Sequence, residues 1–176
     1  GVALKPGKPI CLAASQGKPV VILPGFPTSA VFTFHEFVAP VIRKMAGHPI
    51  QKHGTVSAQM ATQVQSEIGR TEYLLVGLVE RDSDSNSSQL AAYPMGKGSG
   101  SVTTFSRADG FVTLGRHEEL IQQGTPVVVQ LLGRDLAVAD LVAIGSHCLG
   151  LDFLLGQLQR DGFRSKFLAV GSTAGI

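Results

Sequence analysis

The stretch EYLLVGLVE, residues 72–80, is the longest strand-like run in the chain. It is rich in leucine and valine and is followed by turn-forming residues, which is typical of a buried β-strand. Similar but shorter runs occur at Thr55–Met60, Gln89–Tyr93, Gly110–Leu114 and Pro126–Leu132. Several short strands at nearly regular spacing predict a small β-barrel or sandwich domain over residues 49–134.

Two connections within this β region carry predictions of their own. Residues 82–88, DSDSNSS, contain only polar turn-forming side chains and predict a hairpin loop. Residues 118–123 form at most one helical turn.

The preceding segment, residues 1–48, predicts the C-terminal end of an α/β domain. Residues 10–14 and 19–23 are expected to form two short buried strands joined by the turn Ser15-Gln16-Gly17-Lys18. A helix is predicted from Thr28 to about Ala46, because apolar residues recur there at steps of three and four. These residues are Val31, Phe34, Val38, Val41 and Met45.

The ends and the middle of this helix have recognisable signals. Thr28 or Ser29 is the expected N-cap and Gly47 the expected C-cap. Pro40 is expected to kink the helix, because proline lacks the amide hydrogen of one helical hydrogen bond.

The last segment, residues 135–176, predicts the start of a second α/β domain. Residues 141–144 and 167–170 are strand candidates, and residues 149–160 form a helical pattern between them. This order is typical of a βαβ unit with parallel strands. The fold class is therefore α/β plus all-β, and the chain is expected to be a fragment that begins late in one α/β domain and stops early in another.

Composition excludes several classes of protein. The chain has 176 residues, 44% hydrophobic and 16% charged, with a net charge of +2 and no interleaving of aromatic and basic residues that would indicate nucleic-acid binding. No apolar run reaches the ~18 residues of a membrane span. Cys11 and Cys148 lie in apolar runs and are expected to be buried thiols, which favours a reducing, cytoplasmic location.

Two Pro-Gly segments near the start predict an anion site. In Lys5-Pro6-Gly7-Lys8 the turn should bring two ammonium groups together, which repel each other unless an anion or water lies between them. In Pro24-Gly25-Phe26-Pro27-Thr28-Ser29 a strand runs into a helix, a geometry that binds phosphate. The alternatives stay open: solvated lysines and an ordinary strand–helix connection. Neither a dinucleotide fingerprint nor a P-loop pattern is present.

Each of the later motifs, considered separately, also has two interpretations. Arg70 is either a surface charge or a ligand-binding group, and the glycine-rich loop around Ser99 is either flexible or an anion nest. Ser146 and His147 precede a helix, where His147 is expected to cap or pack. No cysteine or histidine set has the spacing of a zinc site.

Together these stretches resemble the molybdopterin molybdenumtransferase family, which includes MoeA and the gephyrin E-domain. The resemblance rests on VALKPGKP and LPGFPTSA, where Phe26 and Thr28 replace the usual Asn and Val. It continues in SEIGRTEYLLVGLV, which has Gly69, Arg70, Glu72 and Tyr73 in register, and in GKGSGSVTTFSRADGFVTL. The second likeness implies that Ser99 and Ser101 would lie in a loop that faces the family's substrate cleft. DLVAIGSHCLGLDFLLGQL resembles the opening of a periplasmic-binding-protein-like domain, which some members carry fused after the β domain.

The resemblance implies an enzyme of molybdenum cofactor biosynthesis that inserts molybdate into adenylylated molybdopterin, uses Mg²⁺ and releases AMP. It implies a homodimer whose cleft lies between the α/β domain of one subunit and the β domain of the other, where Arg70 and Ser99 would enter. Lys5 and Lys8 would contact the anionic substrate. The residues implied to shape the turn that holds it are Gly7, Pro24, Gly25, Pro27 and Ser29.

The resemblance places the family's acidic metal ligands upstream of this sequence, so no metal ligand is assigned and the chain alone is expected to be inactive. Whether molybdenum or tungsten is the natural metal stays open. Two alternatives also remain: a module that binds or senses an oxyanion or another small ligand, such as molybdate or a pterin, and a scaffold that clusters partner proteins.

Overall fold

A computed structural model describes residues 1–49, 54–81, 89–95, 102–133, 136 and 139–169. The predicted loop at residues 82–88 and the glycine-rich loop with Ser99 lie outside the described residues. The strands are β1 (Leu4–Lys5), β2 (Cys11–Ser15), β3 (Lys18–Ile22), β4 (Thr55–Met60), β5 (Val64–Gln65), β6 (Thr71–Arg81), β7 (Gln89–Pro94), β8 (Gly110–Leu114), β9 (Leu120–Ile121), β10 (Pro126–Leu131), β11 (Leu141–Gly145) and β12 (Ser165–Ala169). The helices are α1 (Pro27–Thr33), a π-helical turn (Phe34–Val38), α2 (Ala39–Met45), α3 (Val102–Arg107) and α4 (Leu149–Arg160).

Five strands close into a barrel, in the order β6-β7-β4-β10-β8, with β8 pairing back onto β6. The predicted β-barrel is therefore confirmed, and its five strands lie within two residues of their predicted bounds. The core inside it consists of buried side chains from every strand. These include Ala58, Met60, Leu74, Val76, Leu78, Ala92, Val112, Leu114, Val129 and Leu131.

Strand β6 closes the barrel because it is long enough to pair with two different neighbours. Its first half pairs antiparallel with β8, from Glu72 to Val76, and its second half pairs with β7, from Val76 to Arg81. Val76 belongs to both halves and is completely buried. The short strand β1 adds to the same sheet, in parallel with the start of β6, so that Lys5 lies opposite Glu72.

Two small elements of the β region differ from expectation. Residues 118–123 were expected to form at most a helical turn, but Leu120 and Ile121 form β9, which pairs with β5. Ile121 is buried in the barrel core, so its packing extends this segment into a strand. Helix α3 is an additional element that periodicity did not predict.

The N-terminal hairpin has the predicted strands but not the predicted burial. β2 and β3 pair antiparallel, and Gln16 and Gly17 both have positive φ angles, as a two-residue hairpin turn requires. All ten strand residues are exposed. The prediction of buried strands was wrong because β2 and β3 pair only with each other in the described part of the chain, and a lone hairpin cannot cover its own faces. Cys11 and Cys148 are both exposed, so the prediction of buried thiols was also wrong.

The predicted helix consists of α1, a π-helical turn that precedes Pro40, and α2; the kink expected at Pro40 stays a prediction. The C-cap is Ala46, so the prediction of Gly47 was wrong by one residue. Gly47 follows it with a positive φ: its amide donates to the Lys44 carbonyl and the amide of His48 donates to the Arg43 carbonyl, the hydrogen bonds of a Schellman motif. The N-cap is Phe26, because Pro27 occupies the first turn, and so the prediction of Thr28 or Ser29 was wrong.

The buried face of this helix also differs from the predicted stripe. Phe32 and Thr33 are buried together with Thr28 and Ser29, whereas the predicted stripe residues Val41 and Met45 are exposed. Phe32 in the N-terminal half of the helix packs on Tyr73 and Phe111 of the barrel, whereas Val41, Ile42 and Met45 of α2 are exposed.

The C-terminal segment forms the predicted βαβ unit. Strands β11 and β12 are parallel and in register, and α4 connects them. The sulfur of Cys148 caps α4 by accepting a hydrogen bond from the Leu151 amide at 3.4 Å. His147 was expected to cap or pack, and its ring packs against Phe167; its Nε2 also pairs with Asp152 Oδ2 at 2.6 Å.

The βαβ unit is attached to the barrel through β12. The ammonium of Lys166 contacts the carboxylate of Asp109 and lies 3.3 Å from the Leu78 carbonyl oxygen. Burial lowers the pKa of Lys166 to about 8, which still leaves it charged at neutral pH. Leu168 is buried against Gly77, where a Cβ atom would lie 2.7 Å from its side chain. Glycine at this position therefore permits the close approach of β12.

Candidate functional site

A cavity of ≈540 Å³ lies between the N-terminal loop, the start of α1 and the first half of β6. Five of the nine predicted site residues line it: Lys5, Gly7, Lys8, Ser29 and Arg70. Pro24, Gly25 and Pro27 do not line it, but they flank Phe26, which does. Ser99 lies outside the described residues. The cavity thus brings together residues that are far apart in the sequence, such as Lys5 and Arg70.

Gly7 fits the N-terminal loop against α1. It has a φ of 128°, and a Cβ atom there would lie 2.5 Å from Thr33 Cγ2. Thr33 is itself fixed, because its hydroxyl donates to the Ser29 carbonyl oxygen at 2.8 Å. The two Pro-Gly segments come together because β1 pairs with the barrel and Gly7 packs on α1.

The two lysines of the first turn have different surroundings. Lys5 Nζ lies 3.2 Å from Glu67 Oε1 and 3.5 Å from Glu72 Oε1. Lys8 is exposed at the wall of the cavity. Lys5 is therefore paired with carboxylates of the chain itself, and the anion site expected between the two lysines stays a prediction.

Glu67 also contacts the third cation of the site. Arg70 Nη1 lies 3.2 Å from Glu67 Oε2, so one carboxylate joins Lys5 and Arg70. The sequence reasoning assigned no role to Glu67. The alternation of acidic and basic residues in SEIGRTE was the available signal, but the partner from β1 is more than sixty residues away in the sequence.

Glu72 is a buried carboxylate at the back of the cavity. Only 6% of its side chain is exposed. Its Oε2 accepts a hydrogen bond from the Ser66 hydroxyl at 2.7 Å, and its Oε1 faces Lys5. A buried carboxylate needs such partners, since an uncompensated charge away from water is costly. Glu72 is therefore a fixed negative charge, and Lys5 neutralises it.

The remaining wall of the cavity is largely apolar and aromatic. Tyr73 lines it and stacks on Phe32, with the ring centroids 5.2 Å apart, and Phe111 packs edge-on against both rings. Burial, together with the neighbouring carboxylate of Glu36, raises the pKa of the Tyr73 hydroxyl above its usual range. The ring of Phe26 stands at the rim and is 60% exposed.

The described residues contain no group of three or more His, Cys, Asp or Glu side chains that could hold a metal ion. Asp109 accepts a hydrogen bond from the Leu78 amide at 2.5 Å and contacts Lys166. Asp152 pairs with His147. Asp82 and Asp84 lie outside the described residues. Over the same described part of the chain, no helix has the length and apolar character needed to cross a membrane.

Comparison with known proteins identifies the barrel. The family model described as the MoeA C-terminal region (domain IV) matches residues 57–132. Molybdopterin molybdenumtransferase 1 of Mycobacterium tuberculosis is 32% identical over 123 residues, which are 68% of this chain and 28% of that protein. Molybdopterin molybdenumtransferase of Haemophilus influenzae is 33% identical over 73 residues, which are 41% of this chain and 18% of that protein.

The fold agrees with this comparison. The crystal structure of the molybdopterin biosynthesis MoeA protein from Pyrococcus horikosii superposes with a TM-score of 0.57 and 37% identity, covering 74% of this chain and 30% of that chain. The chain spans less than a third of the length of each of these proteins. Because the matched residues 57–132 coincide with the five-stranded barrel, and the structural likeness extends beyond it, this chain belongs to the MoeA family.

Proposed function

We propose that this chain forms one wall of the substrate cleft of a molybdenum cofactor biosynthesis enzyme, and that the complete enzyme inserts molybdate into adenylylated molybdopterin with release of AMP. The relatives named as molybdopterin molybdenumtransferases support this assignment. The observation that carries it is the cavity, which gathers Lys5, Lys8 and Arg70 from segments that are distant in the sequence. A pyrophosphate or a molybdate dianion needs such converging cations.

Each predicted residue has a role in this proposal. Lys8 and Arg70 contact phosphate or molybdate oxygens, and Lys5 adds a third positive charge. Gly7 keeps the lysine loop against α1, and Ser29 lines the same cavity. Pro24, Gly25 and Pro27 act indirectly by holding the extended segment that presents Phe26.

Phe26 gives the cavity a surface for a flat ring. An aromatic side chain that is 60% exposed beside apolar walls can stack on a pterin or an adenine, both of which are planar. The substrate class that fits is therefore a planar heterocycle linked to phosphate. The heterocycle lies against Phe26 and the phosphate lies toward the three cations.

The described residues do not fit a Mg²⁺ site. Mg²⁺ prefers several oxygen ligands at nearly octahedral geometry. The two carboxylates nearest the cavity cations, Glu67 and Glu72, already pair with Lys5. We therefore propose ligand binding rather than turnover as the property of this chain, and derive no step that involves the metal.

The larger organisation is part of the same proposal. Residues 1–48 belong to the molybdopterin-binding α/β domain, 49–134 to the barrel domain and 135–176 to the start of a periplasmic-binding-protein-like domain. The parallel βαβ unit after the barrel supports the last assignment. The complete enzyme acts in the cytoplasm as a homodimer, in which Ser99 reaches the cleft of the partner subunit. Arg70 already lines the same cavity as the lysines of its own chain.

Calorimetric titration of the chain with AMP and with molybdate tests this function. We expect saturable binding of AMP that Lys8→Ala and Arg70→Ala each weaken by about tenfold or more, since a charge-assisted hydrogen bond contributes about 1.5–3 kcal/mol. Lys18→Ala is the matched control, because Lys18 is the exposed first residue of β3 and does not line the cavity. Its affinity for AMP should equal that of the unmodified chain.

Two results would contradict the proposal. Equal AMP binding by the Lys8, Arg70 and Lys18 variants would show that the cavity cations do not hold the ligand. Binding of molybdate without any binding of AMP would favour the alternative of an oxyanion sensor, which no contact in the described part of the chain favours now.

A further inference from the structure

The carboxylate of Glu67 contacts two of the cations that line the cavity, Lys5 and Arg70. Its Oε1 is 3.2 Å from Lys5 Nζ and its Oε2 is 3.2 Å from Arg70 Nη1. Two oxygens of one anionic group thus face two different cations of the cavity. Phosphate and molybdate would use the same arrangement, with two of their oxygens accepting from the same two donors.

Glu67 differs from Glu72 in how firmly it is held. The Glu72 side chain is 6% exposed and accepts a hydrogen bond from Ser66, so moving it would leave a buried charge and a buried donor without partners. The Glu67 side chain is 59% exposed. Exposed ion pairs contribute little to stability, and water can replace the contacts with Lys5 and Arg70 when the carboxylate rotates outward.

The balance of charge at the cavity changes when Glu67 leaves. With Glu67 in place, the cations Lys5, Lys8 and Arg70 face two carboxylates. For these three cations and the two carboxylates that pair with Lys5, removal of Glu67 leaves Glu72 and a net positive charge of two. This charge matches a dianion such as a phosphate monoester or molybdate, and a monovalent anion would leave part of it uncompensated.

We propose that Glu67 is a placeholder carboxylate that pairs with Lys5 and Arg70 before the ligand binds and is displaced by the doubly charged group of the ligand. This inference rests on the proposed function of the cavity. Every ligand must break the contacts of Glu67 with Lys5 and Arg70, which costs free energy. Only an anion that interacts with both cations more strongly than the carboxylate does offsets this cost. Glu67 therefore sets both the affinity of the cavity and its selectivity for dianions over chloride.

The test is titration of the chain with AMP, and separately with molybdate, at low and at high chloride. Glu67→Gln keeps the shape of the side chain and removes its charge. We expect it to raise the affinity for both probes by about three- to tenfold at low chloride, since two exposed ion pairs no longer compete. We also expect its affinity to fall more steeply with chloride than that of the unmodified chain.

Two further variants make the test specific. Glu80→Gln changes the net charge by the same amount at the far end of β6, where Glu80 is exposed, and it should leave the affinity unchanged. In a chain that carries Arg70→Met, the gain from Glu67→Gln should shrink, because one of the two competing contacts is already absent.

The outcomes separate this inference from the proposed function. If Lys8→Ala and Arg70→Ala weaken binding but Glu67→Gln leaves it unchanged or weakens it, the placeholder is refuted and the anion site stands. A gain for Glu80→Gln equal to that for Glu67→Gln would reduce the effect to net charge and would also refute it. If neither the unmodified chain nor the Glu67→Gln variant binds either probe, both proposals fail.

Discussion

Strand β6 and the β2–β3 hairpin are both rich in apolar residues, yet they have opposite surroundings. In β6 six residues are buried, including the continuous run from Leu74 to Leu78, whereas every residue of β2 and β3 is exposed. β6 has neighbours on both sides and closes a barrel, while β2 and β3 pair only with each other in the described part of the chain. Apolar composition predicted strands in both regions, but closure of the sheet determines which strands are buried.

The largest expected effect comes from truncating one leucine in each region. Leu114 is 1% exposed in the barrel core and Leu12 is 55% exposed in the hairpin. Leu114→Ala should lower the free energy of unfolding by about 2–5 kcal/mol, since it removes buried methyl groups and leaves a cavity. Leu12→Ala should change it by less than about 0.5 kcal/mol. Urea unfolding followed by circular dichroism measures both, and equal losses would show that the hairpin is buried in solution.

A smaller effect is expected at two glycines that both have positive φ. Gly7 meets Thr33 closely, whereas a Cβ atom at Gly17 would meet nothing within 4 Å. Gly7→Ala should therefore cost about 1–3 kcal/mol from the backbone strain and the contact together, and Gly17→Ala about 1 kcal/mol from the backbone alone. The free energy of unfolding of each variant gives the comparison.

Thr33→Ser distinguishes the two contributions at Gly7, because it removes the methyl group that a Cβ atom would meet. In the Gly7→Ala background this change should recover part of the lost stability, beyond its effect in the unmodified chain. No recovery would mean that the contact with α1 is absent and that the lysine loop is positioned in another way.

The smallest effect is expected in the βαβ unit, at an exposed ion pair. Asp140 accepts hydrogen bonds from the backbone amide of Arg164 at 2.8 Å and from its guanidinium, and these hold the pKa of Asp140 below its usual range. A lowered pKa in the folded state stabilises the fold above the unfolded pKa, and this stabilisation is lost as the pH falls through the folded pKa. Asp140→Asn should thus be slightly less stable than the unmodified chain at pH 7, and the difference should vanish once the pH lies below the folded pKa.

The control for this pair is Asp161→Asn, an exposed aspartate at the end of α4. Its difference in stability from the unmodified chain should be smaller at pH 7. If the destabilisation by Asp140→Asn instead grew toward low pH, the expected direction of this pH dependence would be wrong.

The barrel and the βαβ unit were predictable because their signals are local. Strands such as Gly110–Leu114 and Pro126–Leu131 are short apolar runs between turn residues, and α4 has clear boundaries. The lysines and Arg70 were also predictable as candidate anion-binding residues, and the structure brings them to one cavity. A local sequence pattern is sufficient to name such candidates, because lysine and arginine carry the positive charge that an anion-binding site needs.

The features that sequence patterns missed depend on long-range contacts. The three- and four-residue spacing of apolar residues predicted that Val41 and Met45 would be buried, but both are exposed. Which face of a helix is buried depends on the element that packs against it, and the spacing does not identify that element. The role of Glu67 depends on β1 lying beside β6, and the exposure of Cys11 depends on the absence of a neighbour for β2 other than β3 among the described strands. Each is a property of an arrangement in space rather than of a segment.

The pairing of β6 also restricts how this sequence can change in length. Glu72 belongs to the cavity and Gly77 to the contact with Leu168, and both lie on this one strand. An insertion or deletion of one residue between them would turn every following side chain to the opposite face of the sheet. Glu72 and Gly77 could then no longer both keep their contacts, one with the cavity and the other with Leu168. Insertions and deletions among natural variants should therefore fall outside residues 71–81, whereas single substitutions within this range are tolerated.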